Sequence, residues 1–178
     1  MLTVGDLFPD FNCQACVGTD GATDLVEIDN SADNGKWKLF FFYPKDFTFI
    51  CPTELVEFGN RQADFAKLNT VIYGGSTDNE HSHLAWRQAD SNLNTLPYPL
   101  LAAQKLADDL DILDRSENVC LRATFIVDPE GIIQWASANS LDVGRNIDEI
   151  LRVLSAIQTG ELMPCNWKPG EAVLKGYS

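Results

Sequence analysis

Lys38-Leu39-Phe40-Phe41-Phe42-Tyr43, running on through Pro44-Lys45-Asp46-Phe47-Thr48-Phe49-Ile50-Cys51-Pro52-Thr53-Glu54, reads as a strand, a loop and the start of a helix. The apolar run does not alternate, as expected of a strand buried on both faces. Pro52 suits a first helical turn, where its missing N–H costs nothing. Leu55, Phe58, Phe65 and Leu68 then mark the buried face of a helix. Outward from this unit, strand and helix signals alternate. Phe8–Val17 and Leu25–Ile28 read as a leading hairpin around Gly18-Thr19-Asp20-Gly21. Thr70–Ser76 reads as a strand in which Gly74-Gly75 permits a turn or a close approach. Asp78–Ala89 and a short Leu106–Leu110 segment read as helices. Ala123–Asp128 and Ile132–Ser137 flank Pro129-Glu130-Gly131 as a hairpin. Asn146–Gln158 carries apolar residues at helical spacing and stops at Gly160. The order predicts an α/β three-layer sandwich around a mixed sheet, with an N-terminal β-hairpin and an extended C-terminal tail.

The 178 residues fit one domain able to bury its core without staples. The expected division is a catalytic domain over 1–160 and a tail over 161–178. Thirteen Lys and Arg against 26 Asp and Glu leave a net charge of −13, which argues against nucleic acid and anionic membranes as partners. The N-terminus lacks the basic and apolar pattern of a targeting segment, and no run approaches a membrane span. Five cysteines, at 13, 16, 51, 120 and 165, form an odd set better suited to a reduced state than to a secreted disulfide scaffold. A cytoplasmic location is therefore expected.

The chemistry concentrates at Cys51, where a buried strand hands over to a helix N-terminus. Unpaired N–H groups and the dipole there favour thiolate over thiol. A buried cysteine packed as a small hydrophobe suits the same position, and position alone leaves both readings open. Thr48 places a hydroxyl three residues earlier, and Pro44 and Pro52 restrict the loop. A lone Arg122 reads most simply as a strand-edge surface residue. Glu54 and Arg145 suit a structural ion pair as well as a catalytic one.

Pro44-x-x-x-Thr48-x-x-Cys51 resembles the active-site signature of the peroxiredoxins, and the run from Phe41 to Glu54 is similar to typical two-cysteine members of the alkyl hydroperoxide reductase group. His83-Leu84-Ala85-Trp86, Arg122–Asp128, Gly144–Glu149 and Asn166–Gly170 match in family order, so the resemblance spans nearly the whole chain. It implies a thioredoxin-like fold and a thiol peroxidase that reduces hydrogen peroxide and organic hydroperoxides through a sulfenic acid on Cys51, in antioxidant defence. It makes Cys51 the peroxidatic cysteine and Thr48 the residue that orients peroxide and bonds the sulfur. Pro44 becomes the shield of the site and Arg122 a cation brought from a distant strand. Glu54 and Arg145 become the network that positions Arg122. It also implies a homodimer that can form rings of dimers, and a thiol reductant that is thioredoxin-like, flavin-linked or lipoyl-linked. A redox-switched chaperone or peroxide sensor is the alternative reading.

The tail departs from the family. Met163 occupies the usual resolving position and Cys165 follows two residues later. Some members carry cysteines at both positions, and this chain is similar to one retaining only the second. Two extended residues span about 7 Å and a disulfide tolerates only a narrow Cα separation, so the shift matters unless the tail is mobile, which Pro164, Pro169 and Gly170 in a terminal segment favour. Cys165 is the expected resolving cysteine, attacking Cys51 of the partner subunit as the resemblance implies, with Cys13 or Cys16 as the competing choice. Cys13-x-x-Cys16 lies in the leading hairpin, where alternation puts the two thiols on opposite faces as half-buried residues. Cys120 reads as packing. The Gly-Gly-Leu-Gly and Tyr-Phe elements of overoxidation-sensitive members are missing, which predicts resistance to sulfinic acid formation. Two histidines, His81 and His83, point apart on a helix, and no metal or dinucleotide motif is present. The sulfur itself is the expected redox centre, with no cofactor.

Overall fold

A computed structural model of the chain describes residues 1–174. The last residues of the expected tail, 175–178, lie outside the described residues. Two compact units divide at Arg145 and Asn146.

The first unit is built on a seven-stranded mixed sheet. Its strands are β1 (Asn12–Cys16), β2 (Leu25–Asp29), β3 (Trp37–Phe42), β4 (Thr70–Ser76), β5 (Leu100–Ala102), β8 (Arg122–Val127) and β9 (Ile133–Asn139). They lie in the order β2-β1-β5-β4-β3-β8-β9. β6 (Leu113–Asp114) and β7 (Val119–Cys120) form a separate small hairpin. β3, β4 and β5 are mutually parallel, and β8 runs antiparallel to β3. The parallel steps use helical crossovers: α1 (Cys51–Asn60) and α2 (Gln62–Lys67) after β3, and α3 (Glu80–Ala89) after β4. α4 (Gln104–Asp109) follows β5.

β3 is buried on both faces, as its composition predicts. Phe40 and Phe42 join the core that includes Leu106 and Ala107 of α4. Phe41 turns the other way and stacks on Phe58 of α1 with ring centroids 4.0 Å apart. Helices on both faces make the three layers. Gly74 shows why the β4 glycines are needed: a Cβ there would meet the Phe41 ring and the Leu100 side chain at 2.9 Å. The glycines serve close approach within a strand rather than a turn.

Several expectations change. The helix predicted to run from Pro52 through Leu68 breaks at Arg61 into α1 and α2. The break lets Phe58 and Phe65, on the two pieces, both be fully buried. β5 lies mid-sheet, yet its Leu-Leu-Ala is too short to show a period between Pro99 and α4. The leading hairpin joins the main sheet, with β2 at its edge and β1 between β2 and β5. That interior place of β1 makes Cys13 and Cys16 buried rather than half-buried. Their opposite faces hold: Cys13 joins the α4-side core, and Cys16 does not.

The second unit holds α5 (Ile147–Thr159), capped by the Asn146 carboxamide, which accepts from the Glu149 N–H. Gly160, at φ 69°, ends it in the left-handed region that a helix C-terminus favours. In the following segment, Arg152 Nη1 donates to the Trp167 carbonyl at 3.1 Å, and Trp167 is buried while Cys165 is exposed. No helix among the described residues is long and apolar enough to cross a membrane.

Candidate active site

Cys51 is the first residue of α1, and Pro52 follows within the first turn. Strand β3 delivers the loop, and Pro44 at its start is buried. The sulfur-bearing residue is fully buried. Arg122, opening β8 from across the sheet, is 3% exposed rather than a surface residue, and its Nη1 lies 3.4 Å from Cys51 Sγ. The same Nη1 donates to Glu54 Oε2 at 2.7 Å. Arg122 Nε donates to the Leu141 carbonyl at 2.7 Å. Three acceptors thus fix one planar fork, a task for which guanidinium geometry is suited.

Glu54 sits one helical turn beyond Cys51, which brings its carboxylate to the same side. Its Oε1 accepts the Arg145 backbone N–H at 3.0 Å and lies 3.4 Å from Arg145 Nε. Arg145 also donates to the Phe42 carbonyl, the end of β3, and stands over the Phe41 ring at 5.3 Å. Burial pushes the Arg145 guanidinium down to about 10, against the opposing pull of Glu54. It is still a cation at neutral pH. The buried group therefore contains two guanidinium cations and one carboxylate. It is one negative charge short of balance, and the Cys51 sulfur lies within reach of Arg122.

Thr48 stands in the same cavity as Cys51, but its hydroxyl donates to the Lys45 carbonyl at 2.9 Å. The expected bond to sulfur is replaced by one that closes the loop. The cavity holds about 230 Å³ and opens over Cys51. Pro44, Thr48 and Arg122 line it, with Phe49, Ile50, Val119 and Leu141 as apolar walls and Lys45, Glu117 and Asp142 adding charge. Sequence reasoning missed Glu117, Val119, Leu141 and Asp142. They come from the β6–β7 hairpin and the turn after β9, neither of which carries a periodic signal. A larger hollow of about 420 Å³ elsewhere includes Asp33 and Tyr73 in its lining but no cysteine.

Three further cysteines, Cys13, Cys16 and Cys120, are buried. Burial pushes Cys13 up to about 11 and Cys120 up to about 12, and raises Cys16. Since the thiolate is the nucleophile, these groups are inert near neutral pH. Folding favours their protonated forms, a contribution complete below the ordinary thiol range and lost as pH rises through about 11 and 12. Brief iodoacetamide treatment of the native protein at pH 8 should label exposed Cys165 and leave Cys13, Cys16 and Cys120 unmodified. Peptide mapping checks this, and equal labelling of Cys13 would contradict it.

His81 is exposed, whereas His83 is fully buried, with Nδ1 2.7 Å from Asp46 Oδ2 and Nε2 3.1 Å from the Leu101 carbonyl. Both His83 nitrogens are thus engaged in the fold.

Comparison with known proteins adds a family. The AhpC/TSA family model matches residues 4–136. Alkyl hydroperoxide reductase C of Mycolicibacterium smegmatis is 43% identical, over 98% of this chain and 94% of that protein. A putative peroxiredoxin of Bacillus subtilis, YkuU, is 40% identical over 96% of this chain and 97% of its own. Among solved structures, Mycobacterium bovis AhpC superposes with a TM-score of 0.86 at 40% identity, covering 94% of this chain and 99% of that one. The reduced Plasmodium vivax 2-Cys peroxiredoxin gives 0.88 at 33% identity, covering 97% and 93%.

Proposed function

The chain belongs to the AhpC/TSA family and is a thiol-dependent peroxidase of antioxidant defence; from that premise we propose how its residues divide the reaction. The observation that carries the proposal is the single Arg122 Nη1 shared between Glu54 Oε2 and Cys51 Sγ. Cys51 thiolate attacks the terminal oxygen of a hydroperoxide in line with the O–O bond. A sulfur–oxygen bond forms as the O–O bond breaks. The electron pair leaves on the distal oxygen, which takes a proton from solvent and departs as water or alcohol. Cys51 is left as a sulfenic acid. Arg122 faces the line along which negative charge moves, so it stabilises the transition state as well as the thiolate. Glu54 and Arg145 are positioning residues: they hold Arg122 and touch neither peroxide oxygen. Thr48 bounds the cavity and orients peroxide after turning its hydroxyl from the Lys45 carbonyl. Pro44 keeps solvent from the sulfur.

Residues 1–160 supply this chemistry and 161–178 supply the second thiol. Cys165 attacks the Cys51 sulfenic acid of a partner subunit, expelling water and forming an intersubunit disulfide. A thiol reductant, whether thioredoxin-like, flavin-linked or lipoyl-linked, then restores both thiols. Because Cys51 is fully buried at the first position of α1, that turn must unwind first. No side chain caps α1, which lowers the cost. Easy unwinding supports resistance to overoxidation, and the intersubunit bond requires a homodimer, which can build a ring of dimers. An odd set of five cysteines suits a reducing, cytoplasmic setting.

Dimedone trapping after one equivalent of hydrogen peroxide tests the first step. The Cys165→Ser protein should carry one dimedone on Cys51, and adding Cys51→Ser should remove the label. Dimedone on any other cysteine would move the active centre away from Cys51.

A further inference from the structure

The cavity over Cys51 is larger and more apolar than hydrogen peroxide requires. A water molecule takes about 30 Å³ in the liquid, and the cavity holds about 230 Å³. Phe49, 95% exposed, presents an uncovered ring beside it, and Ile50, Val119 and Leu141 continue the apolar wall. An alkyl or aryl group bound there removes its own surface and that of the wall from water.

The charges divide into two sets. Within the site, Arg122 and Arg145 are balanced by Glu54 and the Cys51 thiolate, so no cation is left over for a substrate carboxylate. Around the cavity, Lys45 and Glu117 form an ion pair at 3.4 Å and cancel. Asp142 is exposed, and among the described residues no cation pairs with it. The lining therefore carries one net negative charge, on a chain whose net charge is −13.

We infer that this cavity selects organic hydroperoxides by charge: uncharged alkyl and aryl hydroperoxides are favoured, hydroperoxides bearing a carboxylate are disfavoured, and Asp142 sets the difference. The inference rests on the peroxidase reading of Cys51 and names the substrate class of that same cavity. It assigns Asp142 a specificity role with no part in bond making.

Cumene hydroperoxide and its para-carboxylate form a matched pair, differing in charge far from the O–O bond. The readout is the ratio of their kcat/KM values, neutral over charged, with hydrogen peroxide as a control. A single carboxylate in a watery opening costs an approaching anion on the order of three- to fivefold at low ionic strength. The wild-type ratio should be of that size. Asp142→Asn should bring it to within about twofold of unity, as should 0.5 M salt, which shortens the Debye length to roughly 4 Å. Lys45→Gln should widen it, because Glu117 then acts uncompensated. A wild-type ratio near one, a preference for the carboxylate, or a ratio that Asp142→Asn leaves unchanged would each overturn the inference. Loss of both aryl substrates with hydrogen peroxide still reduced would overturn it and leave the peroxidase reading intact. Loss of all three would overturn both.

Discussion

Arg122→Met should lower kcat/KM for hydrogen peroxide by on the order of 10²- to 10³-fold, the usual effect of removing one preorganised donor from a charge-developing site. The geometry explains why the loss is large. One guanidinium satisfies the Leu141 carbonyl, the Glu54 carboxylate and the Cys51 sulfur at once. Methionine fills the space and supplies none of the three bonds. Glu54 keeps Arg145 as a partner, so the variant retains a compensated carboxylate and should fold. Arg122→Lys restores charge without the fork and should recover only part of the rate. Stopped-flow tryptophan fluorescence of the oxidation step measures this directly, free of the later reductive steps. A rate for Arg122→Met within threefold of wild type would remove Arg122 from the mechanism.

Cys165→Ser should produce the second large effect, on a different step. Oxidation of Cys51 by the first equivalent of peroxide should proceed at the wild-type rate, since the proposed cycle gives Cys165 no part in that step. Multiple turnover with a dithiol-disulfide reductase system should fall by at least about 10²-fold, because no disulfide forms for the reductase to attack. Sulfenic acid then persists and advances to sulfinic acid at higher peroxide. Turnover that survives in Cys165→Ser would show that a small thiol or another cysteine resolves Cys51. Cys13, Cys16 and Cys120 are poor candidates, being buried and held protonated.

The parts of the fold that were legible carry their own local cause. Leu39 to Tyr43 admit no polar face, so a strand buried on both sides follows from composition alone. Pro129-Glu130-Gly131 forces a tight turn, and the structure supplies it with Gly131 at φ 86° and Asp128 Oδ1 accepting the Glu130 and Ile132 N–H groups. Asn146 and Gly160 bracket a helix because one caps and the other permits a left-handed exit. β5 and the break at Arg61 lack such causes. They are set by packing against strands and rings remote in sequence, which no short window records.

The site divides the same way. Cys51 at a helix start is a local fact and could be read. The burial of Arg122 is not, because its partner Glu54 is 68 residues away. An arginine beginning an apolar strand looks like an edge residue until the opposing carboxylate is known. The family resemblance supplied that pairing, and its physical content is the charge balance among Arg122, Arg145, Glu54 and the sulfur. Thr48 shows the reverse case. Its place beside Cys51 was legible, but a hydroxyl has several acceptors within reach, and here it meets the Lys45 carbonyl.

The two-thiol cycle stands or falls on non-reducing peptide mapping by mass spectrometry after one equivalent of hydrogen peroxide per subunit. One disulfide-linked peptide pair should appear, joining Cys51 to Cys165 between subunits, and it should be absent from Cys165→Ser. A Cys51 sulfenic acid with no such bond, or a bond from Cys51 to Cys13 or Cys16, would contradict the cycle.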